Sequence, residues 1–307
     1  MGMHPRWIQA DKVYAQTQRT IDRQFLFKPN PTVRNIIGAS AVRAQLKHPV
    51  HIYWLEFNIN HEQNGIAPLS DSFEDLNNLV LFKQTFHKIL VYELNVHYDR
   101  EGGMFSTPPR TVPCLDNQSL EQQFFYALTN PVKDGLVEKV SHWKGFSSYN
   151  QLAHGKDEVF HWFDRTQWHR DGKKKDLQAY MQSGRLEYTP LPSLAHMKPG
   201  KRESYIRREV RELEKAFKAE REENAQNVMT SAALEKLNPR DRPKTRPPRT
   251  PKPLCHCSCP ALAEMYRTLL FYFLDAYDRA SALYRKGNHS VVFPSGSYKP
   301  PLIVMNT

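Results

Sequence analysis

The chain has 307 residues, and its 43 Lys+Arg against 32 Asp+Glu give a net charge of +11. That balance favours a polyanionic partner, nucleic acid ahead of an anionic membrane surface, and the length suits about two domains with a real core. The longest apolar run, residues 269–274, is far too short to span a membrane, and four cysteines, three of them within five residues, imply no disulfide framework.

Residues 13–19 alternate well enough for a strand, and the segment RTIDRQFLF follows it at 19–27. Residues 32–47 read as a helix with Val33, Ile36, Ile37 and Val42 inward, and 50–63 as a second strand closed by Pro68. A long helix is expected over 72–96, with Phe73, Leu76, Val80, Ile89 and Leu94 among its core positions, broken by Gly102-Gly103. A short strand over 110–115 then precedes a helix that Ser119 and Gln122 open as a capping box and Pro131 ends. At about 100° per residue, Leu120, Phe124, Ala127 and Leu128 share one face of that helix. Tyr126 falls on the other with Gln122, Gln123 and Thr129, so its phenol is presented rather than packed. Strands and helices in this order suit a small α+β sheet domain covered on one face.

The stretch FFYALTNPVKDGLVE at 124–138 resembles the Tyr-x-x-x-Asn-Pro-Val-(Lys/Arg)-x-Gly-(Leu/Trp)-Val block of the REP-associated tyrosine transposases, members of the single-tyrosine HUH superfamily. The match runs through Tyr126, Asn130, Pro131, Val132, Lys133, Gly135, Leu136 and Val137 and continues to Trp143, Ser147, Ser148 and Tyr149. Over about residues 13–150 it also takes in RTIDRQFLF and the Arg110, Val112, Pro113, Leu115, Asp116 pattern. The resemblance implies an antiparallel HUH sheet domain with covering helices, followed by a mostly helical C-terminal extension. It implies that Tyr126 is the nucleophile attacking a DNA phosphodiester. It also implies a divalent metal, Mg²⁺ or Mn²⁺, beside that tyrosine.

In the family the metal is held by His-hydrophobic-His on a strand, where alternate residues share a face. Aligned on the family, His61 matches the first ligand, Glu62 stands for the hydrophobic spacer and Gln63 for the second histidine. A glutamine carbonyl is an acceptable ligand for hard or borderline ions. Arg19, Arg23, Arg110 and Lys133 are candidates for phosphate contacts, each with solvated surface charge as its alternative. Glu56, Asn58, Asn64 and Gly65 depart from the apolar composition of a central strand. Two functions follow: cleavage and rejoining of single-stranded hairpin DNA through a 5′-phosphotyrosine, or a relative that binds DNA without cutting it.

Beyond residue 150 the expected organisation is a charged, largely helical extension over 151–237, a basic Pro-rich linker over 238–257, and a helix and tail over 258–307. Residues 160–176, FHWFDRTQWHRDGKKKD, interleave aromatics with basic residues, a mix that either stacks bases and holds phosphates or simply packs. A charged helix at 201–226 places Ile206, Val210, Leu213 and Phe217 inward. Arg240, Arg242, Lys244, Arg246, Arg249 and Lys252 make the linker either a spacer or an arm that tracks a DNA backbone. The final helix, 261–286, carries a stripe of Leu262, Leu269, Phe273, Ala276, Ala280 and Leu283 that must pack on the main domain or on a second subunit of a homodimer. Cys255, His256, Cys257 and Cys259 alternate too tightly for a mononuclear zinc site and read as a loop leading into that helix. With no apolar signal region or myristoylation site at the start, a cytoplasmic protein is expected.

Overall fold

A computed structural model describes residues 5–243 and 253–300. Strand β1, Val13–Arg19, is followed by helix α1, Pro31–Lys47, strands β2, His51–Asn58, and β3, His61–Ala67, and helix α2, Phe73–Tyr98. Strand β4, Arg110–Cys114, and helix α3, Asn117–Lys133, complete the first half. The four strands form an antiparallel sheet in the order β2-β3-β1-β4, so β3 and β1 lie at its centre. With α1 and α2 over one face of the sheet and α3 over the other, the protein is α+β.

The single strand expected over 50–63 is a hairpin. Asn58 accepts a hydrogen bond from the amide of Ile59 (2.9 Å), and Ile59 and Asn60 turn the chain so that Asn58 pairs with His61. Gly65, which departs from the apolar composition of a central strand, lies mid-strand in β3, where a Cβ would come within 2.0 Å of the Trp54 ring and only glycine fits. The sheet is also covered on both faces rather than one. Alternate residues Tyr14, Ile66, Leu55 and Phe57 pack against Ile37 and Val42 of α1 and Phe82, Phe86 and Leu90 of α2. Val13, Ala15, Trp54 and Cys114 face the other way, toward Phe124, Ala127 and Leu128 of α3. On α2 the buried stripe is rotated from the expected one: Leu79, Phe82, Lys83, Phe86, Leu90 and Leu94 are inside, and Phe73 is 78% exposed.

The caps explain where the helices start. Asn30 accepts from the Val33 amide (2.8 Å) with Pro31 opening α1, and Ser72 accepts from the Asp75 amide (3.1 Å) at α2. At α3 the cap is Asp116, which accepts from the Ser119 amide (2.7 Å), so Ser119 sits inside the first turn. Pro131 does not end α3. The Asp134 amide still reaches the Asn130 carbonyl (2.8 Å), and Gly135 at φ +67° closes the helix two residues later than expected.

Helix α4, Tyr149–His154, leads to a two-stranded ribbon of β5, Phe160–Phe163, and β6, Met181–Gly184, with helix α5, Arg165–Arg170, between them. Helix α6, Pro199–Glu223, buries Ile206 and Val210 in the cluster that contains Phe124 and Leu128. After α7, Ser231–Glu235, residues 253–259 lead to α8, Pro260–Arg285. Part of the basic linker, with Lys244, Arg246, Arg249 and Lys252, lies outside the described residues. The cysteine-rich loop extends the sheet edge: His256 bridges Cys114 in parallel, and its backbone bonds Pro113 (2.8 Å) and Leu115 (2.9 Å). On α8, Tyr266 and Phe273 stack on Trp7, whereas Leu269 and Leu283 remain exposed. Among the described residues no helix is long and apolar enough to cross a membrane.

Candidate active site

The period-2 alternation of β3 sends His61 and Gln63 to the α3 face and Glu62 to the α2 face. On the α3 face the two side chains meet one group. The amide nitrogen of Asn130 lies 2.7 Å from His61 Nε2 and 3.1 Å from Gln63 Oε1. His61 Nδ1 is 2.9 Å from Asn60 Oδ1. An amide oxygen only accepts, so the imidazole proton belongs on Nδ1 and the Nε2 lone pair faces Asn130. Burial, reinforced by the Arg19 charge, pushes the His61 pKa down to about 4, which keeps the ring neutral near pH 7. Thus one nitrogen and one oxygen lone pair converge on a single point.

Tyr126 stands one helical turn before Asn130, and residues four apart share a helix face. It is 40% exposed, as the periodicity of the sequence indicates, whereas Thr129, expected beside it, is buried with its hydroxyl bonded to the Phe125 carbonyl (2.6 Å). The Lys133 ammonium lies 4.5 Å from the centroid of the Tyr126 ring. Arg19 pairs across the ladder with His61, and its charge acts on both His61 and Asp134. Asp134 in turn accepts from Asn58 Nδ2 (2.6 Å), which ties the end of α3 to β2.

The structure brings His61, Gln63 and Arg19 together beside Asn130, and pairs Tyr126 with Lys133 on the same helix, Tyr126 one turn before Asn130. Arg23 is at φ +59°, with its carbonyl accepting from Asn60 Nδ2 (3.4 Å), so its backbone supports the residue that orients His61. Arg110 reaches the Pro253 carbonyl (3.5 Å) on the outer edge of β4. Two residues at the site have no role in the sequence analysis: Asn130 and Asn60. The signal for Asn130 was its position four residues after an outward tyrosine. The signal for Asn60 was its place directly before His61, but its role in orienting the ring depends on the hairpin turn.

The groups here that could hold a divalent ion of the Mg²⁺ or Mn²⁺ type are the neutral His61 imidazole, the Gln63 carbonyl oxygen and, were its amide rotated, the Asn130 Oδ1. On the opposite face the fully buried Glu62 carboxylate accepts from Lys83 and, at 2.8 Å, from His87 Nε2. Burial opposes its ionisation, but His87 and Lys83 hold its pKa well below the usual carboxylate range. The polar residue that replaces the expected hydrophobic spacer is thus matched by partners on α2.

No protein-family model matches the chain, and no curated protein matches it. Among solved structures it is similar to a REP-associated tyrosine transposase bound to a REP hairpin, at 18% identity and a TM-score of 0.39, over 50% of this chain and 87% of the other.

Proposed function

We propose that the protein is a transposase-like nuclease of single-stranded, hairpin-forming DNA in which Tyr126 is the nucleophile and His61, Gln63 and Asn130 form a divalent-metal site. The observation that carries this reading is the convergence of His61 Nε2 and Gln63 Oε1 on Asn130, one turn from an exposed tyrosine. The motif around Tyr126 and the charge of +11 support the same substrate class.

The Tyr126 phenol loses its proton to solvent and its oxygen attacks phosphorus. A new Tyr O–P bond forms as the P–O3′ bond breaks, which leaves a 5′-phosphotyrosine and a free 3′-hydroxyl. Lys133 over the ring and Arg19 beside His61 supply positive charge where the phosphate must sit. A metal bound by the three side chains would neutralise charge on the transferring phosphate. Asn60 keeps the His61 lone pair pointed inward throughout. A phenolate is a fair leaving group, so attack by a later 3′-hydroxyl reverses the step and rejoins the strand.

A second reading, a DNA-binding relative that does not cut, draws on the same contact. The Asn130 NH₂ already satisfies both lone pairs, an arrangement that is complete without an ion. The two are separated by incubating the protein with hairpin-bearing single-stranded oligonucleotides and Mn²⁺ and resolving the products on a denaturing gel. The nuclease yields a covalent adduct that Tyr126→Phe abolishes while folding and DNA binding stay within about 0.5 kcal/mol of wild type, since only an exposed hydroxyl is lost. A wild-type protein that binds the DNA without any adduct is the binding relative, and an adduct that persists in Tyr126→Phe removes Tyr126 from the chemistry.

A further inference from the structure

The β5–β6 ribbon is a built element with its charges sorted. Its base is fixed to α1. A Cβ at Gly38 would come within 2.2 Å of the Phe160 ring, and Asn35 exchanges two hydrogen bonds with the backbone of His161 (2.8 and 2.9 Å). Arg165 reaches Tyr92 Oη (2.8 Å) and Glu93 (3.5 Å) on α2, so the element sits over the α1–α2 layer. That is the sheet face opposite His61 and Gln63.

Its three carboxylates in the connecting segment are all used internally. Asp164 accepts from the Gln167 amide (2.9 Å), Asp171 from Gln167 Nε2 (2.9 Å) and Tyr180 Oη (3.1 Å), and Asp176 from the Gln178 amide (3.2 Å). Trp168 locks the tip: its Nε1 donates to the Lys174 carbonyl (2.9 Å), and its own carbonyl accepts from the Lys173 amide (2.8 Å). Gly172 at φ +74° and Lys173 at φ +58° make the turn that this requires. The cations are treated differently. Arg170, Lys174 and Lys175 are exposed, and among the described residues none of them has an ion-pair partner. A loop whose acids are taken up by its own amides and side chains, Asp176 staying exposed, and whose Arg170, Lys174 and Lys175 are left in solvent presents a preorganised positive surface. Repeated, closely spaced phosphates suit it better than isolated carboxylates do.

We infer that this finger holds the phosphate backbone of a stretch of DNA separate from the one at Tyr126, the flank of the same hairpin-bearing strand. The inference rests on the reading of DNA as the substrate. It assigns the finger affinity without sequence choice, since phosphate contacts carry none.

The test is the triple variant Arg170→Ser/Lys174→Ser/Lys175→Ser, compared with wild type in salt titrations on two probes. One is a short single-stranded oligonucleotide of about ten nucleotides, and the other a hairpin-bearing strand of about forty. On the long probe the variant should lose about two units of the slope of log K against log salt, at roughly 0.7 per lost contact, which is about a hundredfold in affinity near 0.1 M salt. The short probe should bind both proteins alike, and adduct formation at saturating short probe should be unchanged. Equal slopes and affinities on the long probe would overturn the inference, as would competition by poly-glutamate as effective as by DNA. The outcomes remain separable from the chemistry proposed above. A slope difference without any adduct in wild type leaves the finger standing and removes the nuclease, and an adduct without a slope difference does the reverse.

Discussion

Strand β3 presents opposite chemistries to the two sides of the sheet. Toward α3, His61 and Gln63 share one neutral amide partner, held by hydrogen bonds that contribute roughly 1 kcal/mol each and can be exchanged for a ligand. Toward α2, Glu62 is fully buried and answered by an ammonium and an imidazole, partners that cannot leave without stranding a charge. The difference teaches that polar residues in a central strand do different jobs. One side anchors the strand and fixes its register, and the other is held only by exchangeable neutral hydrogen bonds. A one-residue slip would exchange the two sets, so the anchor is also what keeps His61 and Gln63 facing Asn130 on α3.

The largest effect should come from breaking the anchor. Glu62→Ala leaves the buried Lys83 ammonium uncompensated and should cost about 3–5 kcal/mol in urea unfolding. The double variant Glu62→Met/Lys83→Met should recover most of that loss, because an apolar pair of similar volume replaces a desolvated one. A single variant as stable as wild type would show that the α2 side is no more committed than the α3 side.

A smaller effect is expected at Glu56 of β2, where a buried carboxyl accepts from the Ser148 amide (2.9 Å) and hydroxyl. Burial pushes its pKa from 4.5 up to about 7. The folded state therefore holds this proton more tightly than the unfolded chain does. Stability is undiminished below about pH 4.5 and falls as the pH rises through 7, by up to about 3 kcal/mol. Glu56→Gln should be neutral near pH 4 and stabilising near pH 8 in chemical unfolding measured at both values. A difference between variant and wild type that does not change with pH would contradict this account.

Much of the frame was legible. Alternation alone locates β1 at Val13–Arg19, and helical periodicity alone turns Tyr126 outward. The hairpin at Ile59 and Asn60 was hidden because its turn lacks glycine and proline, while Asn64 and Gly65, out of keeping with an apolar strand, are mid-strand with Gly65 beneath Trp54. The two-sided burial of the sheet and the partners of Glu62 depend on contacts across more than twenty residues, which no local pattern encodes. The Asp116 cap overrode the Ser119 box because Asp116 has the extended backbone a cap needs and its carboxylate reaches the Ser119 amide. Asn130 was visible as a letter in a motif, but its role required the pairing of α3 with β3.

The central claim is that the lone pairs on the α3 side of β3 can hold a divalent ion. It is tested most directly by titrating the protein with Mn²⁺ alone and following the loss of the free-ion signal by electron paramagnetic resonance, for wild type, His61→Ala and Asn130→Ala. The account predicts one ion per wild-type chain, binding lost in His61→Ala and weakened in Asn130→Ala. A wild-type protein that leaves the Mn²⁺ signal untouched, or a His61→Ala variant that binds as wild type does, would contradict it.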